Sequence, residues 1–216
     1  MPKIISIEGN IGSGKSSLVE AMREKYSTHP DICFLQEPVE EWKQVKDSNE
    51  MTIIEKYYAN QNKYAFSFQM MAYISRLAQL RRAIKKGYRI IVTERCVYTD
   101  KMVFAKMLYT DNKIENVEYQ IYNKWFSEFI DEIPEFRYVY LHTSPTVAYN
   151  RVNKRARQGE ENIQLDYLQK CHGYHEHWLS KMPNENILIL KGDVDTDEFP
   201  EQKNLWINTI FNYIEK

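Results

Sequence analysis

A single α/β domain built around a parallel sheet is the architecture this sequence predicts. Three observations carry that reading: a glycine cluster between positions 9 and 14, five short apolar β-branched runs, and helix-length stretches between the runs. Glycine is otherwise scarce, with seven in 216 residues and three of them in the cluster.

The runs lie at 3–7, 32–36, 89–93, 137–142 and 187–191. Each is apolar almost throughout, as strands covered on both faces require, and the intervals suit crossover helices. The longest helix is expected over 62–86, stopped by Gly87 in the position that helix C-termini favour. Its Ile74, Leu77, Leu80 and Ile84 recur at three- and four-residue spacing and predict a core-facing stripe. Two further helices, rich in Tyr, Phe and Trp, are expected at 101–109 and 117–133, the second closed by Pro134. No repeat, low-complexity tract or Pro/Gly/Ser linker divides the chain, and 25.9 kDa suits one domain over 1–216.

Composition narrows the function classes. Lys and Arg number 29 against 30 Asp and Glu, a formal charge of −1, which argues against nucleic-acid or membrane-surface binding through net charge. No apolar run approaches the roughly 18–20 residues that span a bilayer. A strand-like run begins at Lys3, so no signal or transit peptide is expected. Cys33, Cys96 and Cys171 lie far apart, offering neither a disulfide framework nor a C-x-x-C metal site. A reducing, cytoplasmic setting follows as the expectation. His29, His142, His172, His175 and His177 show no zinc spacing joined to another ligand, and those at 172–177 are expected to be structural.

Gly9-Asn10-Ile11-Gly12-Ser13-Gly14-Lys15-Ser16 matches G-x-x-x-x-G-K-[ST] in full, after an apolar run and before the helix-compatible Ser17-Leu18-Val19-Glu20. Glycines let backbone N–H groups wrap a phosphate, and the following helix N-terminus adds a favourable dipole. Lys15 is placed to reach the β- and γ-phosphates, and the Ser16 hydroxyl to ligate Mg²⁺. A nucleoside triphosphate is therefore the expected ligand. A GTPase needs an N-K-x-D base reader, but Asn62-Lys63-Tyr64-Ala65 and Asn112-Lys113-Ile114-Glu115 both fail at the last position. A motor or remodelling ATPase would carry an Asp after an apolar strand, where this chain has Glu94-Arg95.

The segment Glu37-Pro38-Val39-Glu40-Glu41-Trp42 is more specific. With Glu94-Arg95-Cys96-Val97-Tyr98-Thr99-Asp100 and the arginine cluster at 151–157, it resembles the deoxyribonucleoside kinase family, in the branch of the deoxycytidine and deoxyguanosine kinases. The likeness runs from the glycine loop to about Trp178 and is loose after Lys191. It implies a five-stranded parallel sheet, a homodimer through a helix pair, and phosphoryl transfer from ATP or another triphosphate to a deoxynucleoside 5′-hydroxyl. It implies Glu37 as the general base, Arg95 holding that carboxylate and the 5′-oxygen, and Glu94 helping to hold Mg²⁺. It also implies an arginine lid over about 151–161 with Arg151, Arg155 and Arg157 on the phosphates, and a donor-binding contribution from Ser17, Asp193 and Val194.

Arg151 and Arg155 are one turn apart, whereas Arg157 lies roughly 200° round an unbroken helix. Glu160 stands where the family contacts the sugar 3′-hydroxyl, with Tyr58 alongside. Gln69 and Arg76 share a helix face, with Ala72 between them, and an amide presents a donor and an acceptor to a nucleobase edge. Phe68 and Phe104 are candidates for stacking on the base and Trp42 for the pocket wall. Arg76 and Asp100 resemble the pair of the branch that accepts deoxycytidine and purine deoxynucleosides, and the volume they fill disfavours thymidine. The competing readings are a monophosphate kinase of thymidylate-kinase type, which would need cations where Glu37 stands, and a P-loop module without turnover.

Overall fold

The computed structural model describes residues 1–156, 160, 163–196 and 198–215. Each apolar run is a strand, displaced by no more than one residue at either end: β1 (Lys3–Glu8), β2 (Ile32–Leu35), β3 (Ile90–Glu94), β4 (Phe136–His142) and β5 (Ile187–Lys191). They form one sheet in the order β2-β3-β1-β4-β5, parallel at every pairing. The order makes β1 central, with Ile4 opposite Ile91 on one side and Phe136 on the other.

The pleat explains the uninterrupted apolar pattern. Ile4 belongs to a core shared with Leu77 and Leu80 of α4 (Gln61–Lys85) and Trp178 of α9 (Leu165–Leu179). Ile5 and Ile7 turn to the other face, against Leu18, Val19 and Met22 of α1 (Lys15–Lys25) and Ile207 and Ile210 of α10 (Pro200–Glu215). A sheet covered on both faces has no side on which polar residues would be favoured. Ser6 and Glu8 are the buried exceptions on β1, and Glu8 is satisfied by the hydroxyls of Ser6 (2.5 Å) and Thr99 (2.7 Å).

The long helix ends one residue before its expected limit, and Gly87 takes φ +81°, its N–H donating to Ile84 O at 3.0 Å. Its stripe needs correction. Leu77 and Leu80 are buried, but Ile74 is 49% exposed. The buried face is centred on Gln69 and Leu80, and Ile74 lies roughly 130° round from it at about 100° per residue. The helix expected at 101–109 begins earlier, as α5 (Val97–Thr99), widens into a π-helical turn over Asp100–Ala105, and continues as α6 (Lys106–Thr110). α7 (Asn116–Ile130) stops before Pro134 rather than at 133. α2 (Val39–Lys43), α3 (Ile53–Ala59) and α8 (Pro145–Arg155) complete the ring around the C-terminal ends of the strands.

No element was expected where α10 forms, yet its Ile207, Ile210 and Ile214 carry much of the second core. Ile210→Ala should cost about 2–5 kcal/mol, because a fully buried branched side chain leaves a cavity. Leu205→Ala on the exposed side of the same helix should stay within about 0.5 kcal/mol of the parent. Urea unfolding of the two variants checks the pair.

Candidate active site

The loop from Gly9 to Ser16 joins β1 to α1 and floors a cleft of about 1210 Å³. At Gly12, φ is +80° and a Cβ would come within 2.3 Å of Ala148 O in α8, so only glycine fits. Gly14, at φ +98°, is the N-cap of α1. Ile11, Gly12, Ser13, Gly14, Lys15, Ser16 and Ser17 line the cleft. Gly9 and Asn10 are not part of that lining. The Asn10 amide instead donates to Leu168 O of α9 at 2.8 Å, and Gly9 O accepts from Arg95 at 3.4 Å.

Lys15 is buried, and its ammonium donates to Asn10 O at 2.7 Å and more weakly to Ser13 Oγ at 3.4 Å. Burial, with the neighbouring Arg95 charge, lowers its pKa to about 7 against the opposing pull of Glu94 and Glu37. Ser16 Oγ donates to Glu94 Oε1, so two hard oxygen donors meet beside the phosphate loop.

Glu37 lies just past the end of β2, where ligands collect in open α/β sheets. One of its oxygens accepts from Arg95 at 2.6 Å and from Arg76 at 3.1 Å. Burial opposes its ionisation, but Arg95, Arg76 and Lys15 outweigh that and hold its pKa at about 2. Arg95 follows the last residue of β3 with φ +60°, a left-handed conformation that costs a non-glycine residue about 1–3 kcal/mol. Its guanidinium also stands 5.1 Å from the Phe104 ring.

Arg76 makes four contacts: Asp100 Oδ2 at 3.0 Å and Oδ1 at 3.4 Å, Glu37, and Glu94 O at 2.8 Å. Burial raises Asp100 to about 6 despite the opposing pull of Arg76. Asp100 and Phe104, one wide turn apart on the π segment, both line the cleft. Gln69, Phe68, Trp42 and Tyr58 line it too. Trp42 is anchored by its indole N–H to Ser75 Oγ at 2.8 Å, and Phe68 packs on Tyr57 at 4.7 Å between centroids. Gln69 Oε1 and Arg95 Nε are buried without a partner among the described residues.

The arginines divide. Arg151 and Arg155 line the cleft, while Arg157 lies outside the described residues. Arg151 donates to Gly192 O at 2.8 Å and Val194 O at 2.9 Å, and Arg155 pairs with Glu160. Val194 and Glu160 line the cleft, and Asp193 does not. The Asp193 carboxylate accepts from Ser144 N at 2.7 Å and so closes the start of α8. Sequence reasoning missed Tyr57 and Tyr167, whose hydroxyls meet at 3.0 Å in the cleft wall, and Lys203 of α10, which donates to Ser17 Oγ at 3.1 Å. Nothing in local spacing distinguishes them. His175 is buried and bonded to Cys171 O at 2.7 Å, in keeping with a structural role, whereas His142 of β4 comes together with His172 and Glu176 of α9.

The Lys15 ammonium should titrate near pH 7, and a polyanion in the loop should raise its pKa by charge. Binding of a nucleoside triphosphate, whose terminal phosphate is already fully ionised at pH 8, should therefore take up close to one proton at that pH. Calorimetry in two buffers of different ionisation enthalpy measures it, and no uptake would contradict a Lys15 ammonium poised near neutrality.

Comparison with known proteins agrees with this geometry. The deoxynucleoside kinase family matches over residues 5–215. A fowlpox virus protein named as a probable deoxycytidine kinase is 34% identical, the match covering 99% of this chain and 89% of the relative. Deoxycytidine kinase 2 of Gallus gallus is 34% identical over 89% of this chain and 82% of its own length. Thymidine kinase 2 of Homo sapiens is 30% identical over 82% of this chain and 64% of its own length. A phosphate loop, a held carboxylate at the strand ends and a match over nearly the whole chain place this protein in the deoxynucleoside kinase family.

Proposed function

We propose that this kinase phosphorylates the 5′-hydroxyl of deoxycytidine and purine deoxynucleosides, with thymidine a poor substrate, and that Glu37 is its general base. The observation that carries this reading is the Glu37 carboxylate, held by Arg95 and Arg76 in the cleft that the phosphate loop floors. The acceptor end thus presents an anion whose cations are already engaged. An uncharged hydroxyl fits there, and the phosphate of a monophosphate acceptor does not. A panel of deoxynucleosides and monophosphates, with release of the diphosphate and product identity measured, tests it.

Transfer needs positioning, charge stabilisation and one proton acceptor. Lys15 and the loop N–H groups would hold the β- and γ-phosphates of ATP or another triphosphate, with Val194, Arg151 and Arg155 at the donor's edge. Ser16 and Glu94 supply oxygen donors of the kind Mg²⁺ takes, and the ion, when bound, would neutralise phosphate charge. The unpartnered Arg95 Nε is the donor available to the 5′-oxygen, and the unpartnered Gln69 Oε1 the acceptor available to a base amino group. Burial, Tyr57 and Glu160 together push the Tyr58 hydroxyl well up, in keeping with Tyr58 and Glu160 sharing the sugar. The three free thiols suit a reducing cytoplasm.

Ile74 on α4 and Val117, Ile121 and Trp125 along α7 are each 43–57% exposed, an apolar face suited to an isologous homodimer. Trp125→Glu should then halve the mass seen by light scattering to 25.9 kDa; a parent already at that mass removes the dimer.

Glu37→Gln should lower kcat by roughly 10²–10⁴-fold with little change in nucleoside affinity. A loss below tenfold would remove Glu37 as the base.

Arg76→Met with Asp100→Ala should raise the ratio of thymidine to deoxycytidine kcat/KM. Arg76 also holds Glu37, so both efficiencies should fall, but that shared loss cancels in the ratio. An unchanged ratio would show that the pair only pins α4 to the π segment.

A further inference from the structure

We propose that His142, His172 and Glu176 form a binding site for a divalent transition-metal ion, with Zn²⁺ the best match to the donor set. The three residues come from two elements, His142 from the C-terminal end of β4 and the other two one turn apart on α9. Each offers one ligand atom, and these atoms lie within 4.8 Å of one another. His142 Nε2 and Glu176 Oε1 are 3.6 Å apart, close to the spacing of about 3.3 Å expected between two ligands of a tetrahedral ion bound at about 2.0–2.1 Å. The remaining spread is within reach of small side-chain rotations.

A second observation points the same way. His172 Nδ1 and Glu176 Oε1 are both buried without a hydrogen-bond partner among the described residues. Two polar atoms left bare beside a third donor cost free energy unless something fills the gap between them. Two imidazoles and a carboxylate are the ligand set of open zinc sites, with a fourth position left to water, and half-exposure of the three residues provides it. Tyr140, buried beneath, packs edge-on against the His142 ring with centroids 5.5 Å apart and backs the ligand from below. None of the three ligands lines the nucleotide cleft, so the site is separate from the one already described. An ion there would brace α9 against β4, and α9 holds Asn10 of the phosphate loop through Leu168 O.

The test uses the full chain stripped with a chelator and then titrated with Zn²⁺ against a chromophoric competitor, in saturating Mg²⁺ to occupy hard oxygen sites. One equivalent should bind, with affinity falling at least tenfold in both His172→Ala and Glu176→Gln and unchanged in the surface control His177→Ala. Co²⁺ in place of Zn²⁺ should give visible d–d bands in the parent protein, a readout of histidine ligation that needs no variant. Zn²⁺ should raise the thermal midpoint of the parent and not of His172→Ala. No uptake at micromolar Zn²⁺, full affinity in either ligand variant, an equal loss in the His177 control, or no d–d band in the parent would each overturn the site.

Discussion

Two buried guanidinium groups share one carboxylate oxygen of Glu37, and the cleft is organised around that shared contact. Arg76 reaches it from α4 and Arg95 from the end of β3, so a helix, a strand terminus and the turn after β2 are fixed to one another at a single atom. Neither arginine could be buried without compensation, and each has it: Asp100 takes the rest of Arg76, and Gly9 O takes a second edge of Arg95. Arg95 makes its contact from a left-handed backbone, a strained conformation for a non-glycine residue. Removing any one member would leave a buried charge with part of its compensation gone.

The same network sets the electrostatics of the phosphate loop. Lys15 sits within the field of Arg95, and burial already disfavours its ammonium, so the loop is poised to gain from any anion that enters. Glu37 responds in the opposite sense, kept ionised by the cations that surround it. One end of the cleft therefore favours an entering anion, and the other already holds one.

Connections behind the loop tie this arrangement to the surrounding elements. Arg151 of α8 reaches the loop at Ser13 O and the segment after β5 at Gly192 O and Val194 O. Asn10 ties the loop to α9. These are backbone acceptors, so they depend on chain path rather than on the identity of the residue contacted. Family resemblance assigned Arg151 to the phosphates. In this structure its guanidinium is also a brace between two loops.

What the sequence determined by itself was whatever depends on neighbours in the chain. Strands covered on both faces must be apolar throughout, so five runs marked five strands to within a residue. The phosphate loop was legible because its backbone conformation demands glycine at fixed spacing, and Gly87 because a helix end does. The pairing of Glu37 with Arg95 was legible only through resemblance, since 58 positions separate them. Tertiary structure decided the rest. Periodicity locates a helix but not which side meets the core, so Ile74 is at the surface while Gln69 and Arg76 are buried. α10 carried the helical spacing of Ile207, Ile210 and Ile214, but only the sheet face it covers gave that spacing a purpose. Asn10, Asp193 and His142 fall in the same class: Asn10 meets Leu168, Asp193 meets Ser144 and His142 meets His172 and Glu176, each far along the chain and brought close by folding alone.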